Sequence, residues 1–432
     1  MQKVLPDTAS SREGHLQLAG LDVVELVERF GTPLILLDRA TFETRAKSYA
    51  SALEPERVFY AGKALCCVAV CQMIDALGLG LDVCSGGELE TARRAGFPMG
   101  RVIFHGNNKS LHELDAARRL GVGRIVVDSF EEIARLHEVK ATAKLLVRVT
   151  PGVEAHTHEF IQTGQEDSKF GFTLAEDIAL EAIRRASRLP SAPLVGVHAH
   201  IGSQIFELAA FDLAVEALAG FLRRAKDEFG FEAAELNLGG GLGIAHTKDE
   251  PVLDPAAAAT SILQAVEREF TAQGLAIPAL SLEPGRSLVG PSAVTVYRVG
   301  TVKRIPGVRT YVAVDGGMSD NIRPALYGAR YESFLANRMD AAALRAVTVC
   351  GKHCESGDVL IKDAELPEDV AEGDLLCIPA TGAYTYSMAS NYNRLARPPI
   401  VLLQEGEAIE IVARETLDHL LALDRHLDGS PL

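Results

Sequence analysis

Eight short apolar runs, each separated from the next by a longer stretch that carries polar residues, set the pattern from residue 58 onward. The runs are 58–61, 79–83, 101–105, 124–128, 144–150, 194–201, 235–239 and 279–283. Between them lie helix-like segments, including 85–95, 110–120, 129–140, 174–188, 209–229 and 255–273. Ser85, Ser110 and Ser129 each have a Glu three residues on, the mark of a capped helix start. Eight strands alternating with helices predict a (β/α)8 TIM-type barrel, with a doubly wound open sheet as the structural alternative.

After Pro284 the pattern changes. Residues 293–304, 309–315, 346–350, 358–361, 374–380 and 400–412 read as strands, rich in Val, Thr and Tyr, with few helices between them. They predict a second, mostly antiparallel β domain. Ahead of the barrel lie a helix-like 21–30 and a strand-like 33–37. That strand has no partner in the alternation and is expected to pair with the C-terminal domain. The expected division is a barrel at 38–285 and a β domain made of 1–37 plus 286–432.

Charge and cysteine usage narrow the partners. Lys and Arg total 43 against 58 Asp and Glu, a net charge of −15 that repels nucleic acid and anionic membrane surfaces. No apolar run suits a membrane helix, and residues 1–20 contain no apolar core of a signal peptide. The seven cysteines contain no C-x-x-C pair. A reduced, cytoplasmic protein without a disulfide framework or a zinc ribbon is expected.

Barrel enzymes place their chemistry at the C-terminal ends of the strands. In this chain those ends carry Ala61-Gly62-Lys63, Asp82-Val83-Cys84-Ser85, His105-Gly106-Asn107-Asn108, His198-Ala199-His200, Gly239-Gly240-Gly241 and Glu283-Pro284-Gly285-Arg286. No carboxylate lies within five residues of Lys63. Desolvation there would favour the neutral amine that attacks an aldehyde. Taken alone, a surface lysine just past a strand fits better. Four glycines in the five residues 239–243 offer unobstructed backbone N–H groups for a phosphate, more than a tight turn requires. Ile244 stands where G-x-G-x-x-G needs its last glycine, which disfavours a dinucleotide site. His198 and His200 share a strand face, a metal-ligand pattern, but barrel hydrolases carry that pair on the first strand, so no metal is expected. Glu283 and Arg286 lie close across a Pro-Gly turn, or form an exposed ion pair of small energetic worth. Cys354-Glu355 sets a thiol beside a carboxylate, a weak pattern by itself.

Taken together these segments resemble the diaminopimelate decarboxylases, pyridoxal-phosphate enzymes of the alanine-racemase-type fold (fold type III). The likeness runs from Thr32-Pro33-Leu34 to about Asn393. It includes Phe59-Tyr60-Ala61-Gly62-Lys63-Ala64, His198-Ala199-His200-Ile201-Gly202-Ser203-Gln204, Asn321-Ile322-Arg323-Pro324-Ala325-Leu326-Tyr327, Cys354-Glu355-Ser356 and Gly382-Ala383-Tyr384, all in the family's order.

The resemblance implies a role for each position. Lys63 is the lysine that joins pyridoxal 5'-phosphate covalently. His200 stacks on its ring, and Glu283 partners the ring nitrogen. Ser203, the glycines Gly239, Gly240 and Gly241, and the Pro284-Gly285-Arg286 turn form the phosphate cup. Arg286, Arg323 and Tyr327 hold the distal carboxylate of an amino-acid substrate, and Glu355 its distal amino group. Cys354 gives a proton to the substrate carbon, and Tyr384 touches cofactor and substrate. The family's Cys and Glu reach the site across a homodimer interface. The implied reaction converts meso-2,6-diaminopimelate to L-lysine and carbon dioxide, the last step of lysine biosynthesis. The rival is a decarboxylase of the same fold acting on ornithine, arginine or a carrier-bound amino acid. Diamine-forming relatives lack an equivalent of Arg323, because their substrates end in an ammonium. Cys84 stands where relatives often carry another small apolar residue, and this touches none of the roles.

Overall fold

The computed structural model describes residues 2–152, 168–342 and 344–432, and the chain divides into two compact units. One comprises Arg45–Ile244 and Val252–Leu288, the other Met1–Thr44, Ala245–Pro251 and Val289–Leu432. The segment 245–251, which the sequence pattern placed inside the barrel, groups with the second unit.

The first unit is the barrel. Its strands are Phe59–Ala61, Gly80–Val83, Val102–Phe104, Arg124–Val127, Lys144–Thr150, Leu194–His198, Glu235–Asn237 and Ala279–Ser281. Each pairs in parallel with the next. A parallel bridge between Val58 and Leu282 joins the last strand to the first. The N–H of Phe59 donates to the Leu282 carbonyl at 2.8 Å, and that of Ala61 to the Pro284 carbonyl at 3.1 Å. The open sheet is thereby excluded. Phe59, Ile103, Val126 and Leu146 project from four strands into one apolar cluster.

A helix fills every connection between consecutive strands: Val68–Ala76, Gly86–Arg94, Leu111–Leu120, Phe130–Glu138, Ile178–Ala186, Ala209–Phe229 and Pro255–Ala272. Ser85, Ser110 and Ser129 cap as their spacing implies, each hydroxyl accepting the N–H three residues on. Of the three, only Ser110 closes a reciprocal box, with Glu113. Glu88 and Glu132 reach one residue further back, to the N–H groups of Cys84 at 2.6 Å and Asp128 at 3.1 Å. The caps therefore fix the loops that leave the second and fourth strands.

The second unit is a mixed, mostly antiparallel sheet. Its strands run in the order Val359–Pro367, Leu344–Cys350, Arg309–Val314, Ala293–Ile305, Leu34–Asp38, Ile400–Gln404 and Glu407–Val412. Leu375–Pro379 pairs with the long strand Ala293–Ile305. Leu34–Asp38 is buried throughout, antiparallel to Ala293–Ile305 and parallel to Ile400–Gln404, which is the partnership its isolation in the sequence implied.

Two elements differ from the sequence pattern. Residues 400–412 form a hairpin and not one strand, turning at Glu405-Gly406. A small sheet of Ser10–Arg12, His15–Leu18 and Leu21–Asp22 precedes the helix Val23–Phe30, so that helix starts two residues later than the pattern implied. The turns of the small sheet are Glu13-Gly14 and Ala19-Gly20. All six residues of the three hairpin loops have positive φ, from 49° to 80°, as two-residue loops that match the strand twist require.

Candidate active site

Lys63 lies in the turn Gly62–Ala64, directly after the first strand. The turn is pressed inward by close backbone approach. A Cβ on Gly62 would stand 2.8 Å from the Asp82 carbonyl oxygen, and one on Gly285 2.9 Å from the Ala61 Cβ. Lys63 itself is exposed, because the turn carries its side chain off the buried strand, so the expected desolvation is not found in the single chain. Its charge opposes in part the burial that raises the Asp82 carboxyl, and adds to the burial that lowers the His200 imidazole.

The barrel's interior end holds a carboxylate hub. Glu283 is 6% exposed. His105 Nε2 lies 2.7 Å from its Oε1, Asn237 Nδ2 donates to the same oxygen at 2.8 Å, and His198 Nε2 lies 3.1 Å from Oε2. Those donors come from the ends of the third, seventh and sixth strands. Burial pushes the Glu283 carboxyl up, but His105 and His198 outweigh it and hold Glu283 well below the usual carboxylate range. Burial brings His198 down to about 4, so it donates as a neutral imidazole. Asp82, near His105, is pushed up to about 6, chiefly by burial. His105, His198 and Glu283 also place three potential ligand atoms within 4.8 Å of one another. Both carboxylate oxygens already accept hydrogen bonds there, so the cluster is a hydrogen-bonded anion site.

His198 and His200 do not act as a pair. The strand ends at His198, which turns to Glu283, while His200 packs beside Gly239, where a Cβ would come within 2.7 Å of Nδ1. Burial and the charges of Lys63 and Arg148 hold the His200 imidazole well below its ordinary value.

Each site glycine answers to a close backbone. A Cβ on Gly240 would lie 2.3 Å from the Glu283 carbonyl oxygen, and one on Gly241 2.6 Å from that of Gly202. Packing thus explains the run without a ligand. Among the described residues, however, the N–H groups of Gly240 and Gly241 donate to nothing. Beside them Arg286, 6% exposed, donates from Nη2 to Ser203 Oγ at 2.9 Å. Pro284 and Gly285 carry the chain from Glu283 to Arg286, and neither end of the turn is exposed.

The β unit carries the remaining candidates. Arg323 is buried, with its guanidinium 5.7 Å from the Tyr327 ring centre and 5.9 Å from that of Tyr384. Tyr384 holds a left-handed φ of 59°, a strained state that marks functional segments in many proteins. Cys354 and Glu355 are exposed on a loop that the sequence reading left without supports. Asp358, buried, accepts the N–H groups of His353 at 2.9 Å and Met318 at 2.7 Å, and Asn393 Oδ1 accepts the Cys354 N–H at 3.2 Å. The sequence signal for these supports is local: Asp358 lies four residues past Cys354 in the same loop.

The chain matches a family described as pyridoxal-dependent decarboxylase, pyridoxal binding domain, over residues 39–290. It therefore belongs to the pyridoxal-dependent decarboxylases, whose cofactor is pyridoxal 5'-phosphate. It is 50% identical over 422 residues to the diaminopimelate decarboxylase of Bacillus subtilis, covering 96% of each chain. It is 45% identical over 431 residues to that of Mycobacterium tuberculosis, covering 97% of this chain and 96% of the relative. The crystal structure of the diaminopimelate decarboxylase from M. jannaschii in complex with L-lysine aligns with a TM-score of 0.90 at 34% identity, covering 98% of this chain and 99% of that one. Within the larger family the chain belongs to the diaminopimelate decarboxylases.

Proposed function

We infer that this chain is a carboxy-lyase that converts meso-2,6-diaminopimelate to L-lysine and carbon dioxide, the last step of lysine biosynthesis. The observation that carries the substrate choice is the buried guanidinium of Arg323, set among tyrosine rings, which suits a carboxylate and repels an ammonium. The relative that holds L-lysine is consistent with it.

The residues present fit the cofactor. Open N–H groups at Gly240 and Gly241, with Ser203 and Arg286 beside them, suit a phosphate. An ionised, buried Glu283 suits a protonated pyridine nitrogen. Bound pyridoxal 5'-phosphate supplies an electron sink for the carbon that loses carbon dioxide. Lys63 would hold it covalently, His200 would contact its ring, and the ionised Glu283 would favour a protonated ring nitrogen. Gly239 and the Pro284-Gly285 turn would join Ser203, Gly240, Gly241 and Arg286 in holding its phosphate.

On the substrate side, Arg286, Arg323 and Tyr327 hold the distal carboxylate and Glu355 the distal amino group. Tyr384 orients both partners. The Cys354 thiol delivers the proton that replaces carbon dioxide. In this reading the active form is a homodimer, with Cys354 and Glu355 of one subunit completing the site that contains Lys63 of the other. All seven cysteines are free, which suits a reducing cytoplasm, and no described helix is long and apolar enough to cross a membrane.

The test is a product assay with purified protein on meso-diaminopimelate, ornithine and arginine. Diaminopimelate should be consumed with L-lysine as product and should lead the others in kcat/KM. A preference for ornithine or arginine would overturn the assignment.

A further inference from the structure

The substrate reading rests on the aim of one guanidinium, and a residue outside every motif sets that aim. We propose that Tyr331 is a positioning residue that holds Arg323 in the orientation that reads the distal carboxylate. The proposal depends on Arg323 being the arginine that meets that carboxylate.

Arg323 opens the short helix Arg323–Tyr327, where its own N–H meets Asn321 Oδ1 at 3.3 Å. The helix stops at Gly328, with a left-handed φ of 61°, and the chain turns back so that the Ala329 N–H reaches the Arg323 carbonyl at 3.3 Å. This return brings Tyr331 under the arginine side chain. Arg323 Nε donates to the Tyr331 hydroxyl at 2.9 Å, with Arg323 6% and Tyr331 4% exposed.

The tyrosine cannot swing away. Its ring belongs to the apolar cluster with Tyr297, Leu335, Val347 and Leu360. His246 meets it edge-on, with ring centres 5.1 Å apart and planes at 85°. The backbone beside it is tied as well, because the Glu332 N–H donates to the His246 carbonyl at 3.1 Å.

A guanidinium offers a carboxylate two bidentate faces, one made of Nε and an amino group, the other of both amino groups. With Nε held by a fixed hydroxyl, the first face is closed and the end-on face is presented. The Tyr327 and Tyr384 rings flank the same guanidinium and limit its roll. Arginine loses much rotamer freedom on ordering, so an arginine aimed before the substrate arrives binds a carboxylate more tightly than a free one.

A hydroxyl that merely satisfied a buried donor would affect folding alone, and the test separates the two. Tyr331→Phe keeps the ring and removes the oxygen. L-Lysine carries a carboxylate at the position the distal clamp would hold, and 1,5-diaminopentane has the same amines and no carboxylate. Each is used as a competitive inhibitor of wild type, Tyr331→Phe and Arg323→Ala. In Tyr331→Phe, the KM for meso-diaminopimelate and the Ki for L-lysine should both rise on the order of threefold to tenfold, the worth of one hydrogen bond. The Ki for 1,5-diaminopentane should stay unchanged, and kcat should move less than KM. Equal weakening of both inhibitors, or no weakening of either, would overturn the role of Tyr331. If Arg323→Ala separates the two inhibitors and Tyr331→Phe does not, only the role of Tyr331 falls. If Arg323→Ala fails to separate them, the distal-carboxylate reading falls and takes this proposal with it.

Discussion

Glu283 keeps its charge in a place that disfavours charge. Its carboxylate is nearly sealed from water, yet donors from the ends of three different strands surround it. His105 and His198 more than offset the cost of burial. Glu283→Gln keeps the shape and removes the charge. We expect kcat to fall by about a hundredfold or more, in line with the loss of one preorganised electrostatic partner, while the visible absorption of the bound cofactor persists. Unchanged kcat would show that the charge is not used. The carboxylate itself was legible, because Glu-Pro-Gly-Arg closes an apolar run. His105 and His198 were legible as strand-end residues, but their bonds to Glu283, and Asn237 altogether, were not. His105, His198 and Asn237 lie 178, 85 and 46 residues away from it, and only barrel closure brings them together. Lys63 shows the converse: its apolar sequence neighbours implied desolvation, but the turn Gly62–Ala64 carries it out of the packed interior.

At the level of elements, periodicity revealed what was long and missed what was short. The strands of the barrel alternate with helices, and the Ser-x-x-Glu segments at Ser85, Ser110 and Ser129 each start a real helix. The three hairpin loops escaped because their first residues are Glu13, Ala19 and Glu405, where Asn or Asp would have signalled the turn. Each of these residues carries a Cβ in a left-handed conformation, at some cost. Glu405→Asn should therefore stabilise the hairpin Ile400–Val412 by on the order of 0.5–1 kcal/mol, since Asn tolerates that conformation better. Thermal unfolding of both proteins checks this, and a lower Tm for the variant would contradict the turn assignment. The helix Val68–Ala76 was hidden for another reason: most of it is apolar, so it has no polar stripe to mark a period.

For the whole molecule, the division of labour is visible in the chain order. The barrel unit carries Lys63, the glycines 239–241, Ser203, Arg286 and the buried Glu283, and the β unit carries Arg323 and Cys354. Neither set alone makes a complete catalyst if Cys354 supplies the proton and Lys63 the anchor. The most direct test mixes two inactive proteins. Lys63→Ala lacks the anchor, and Cys354→Ala lacks the proton donor, so each alone should release almost no L-lysine from meso-diaminopimelate. After subunit exchange, hybrid dimers should contain one site with both Lys63 and Cys354, and L-lysine formation should return to a substantial fraction of the wild-type rate. No recovery despite exchange confirmed by mass, or full activity from Lys63→Ala alone, would contradict a site shared between subunits.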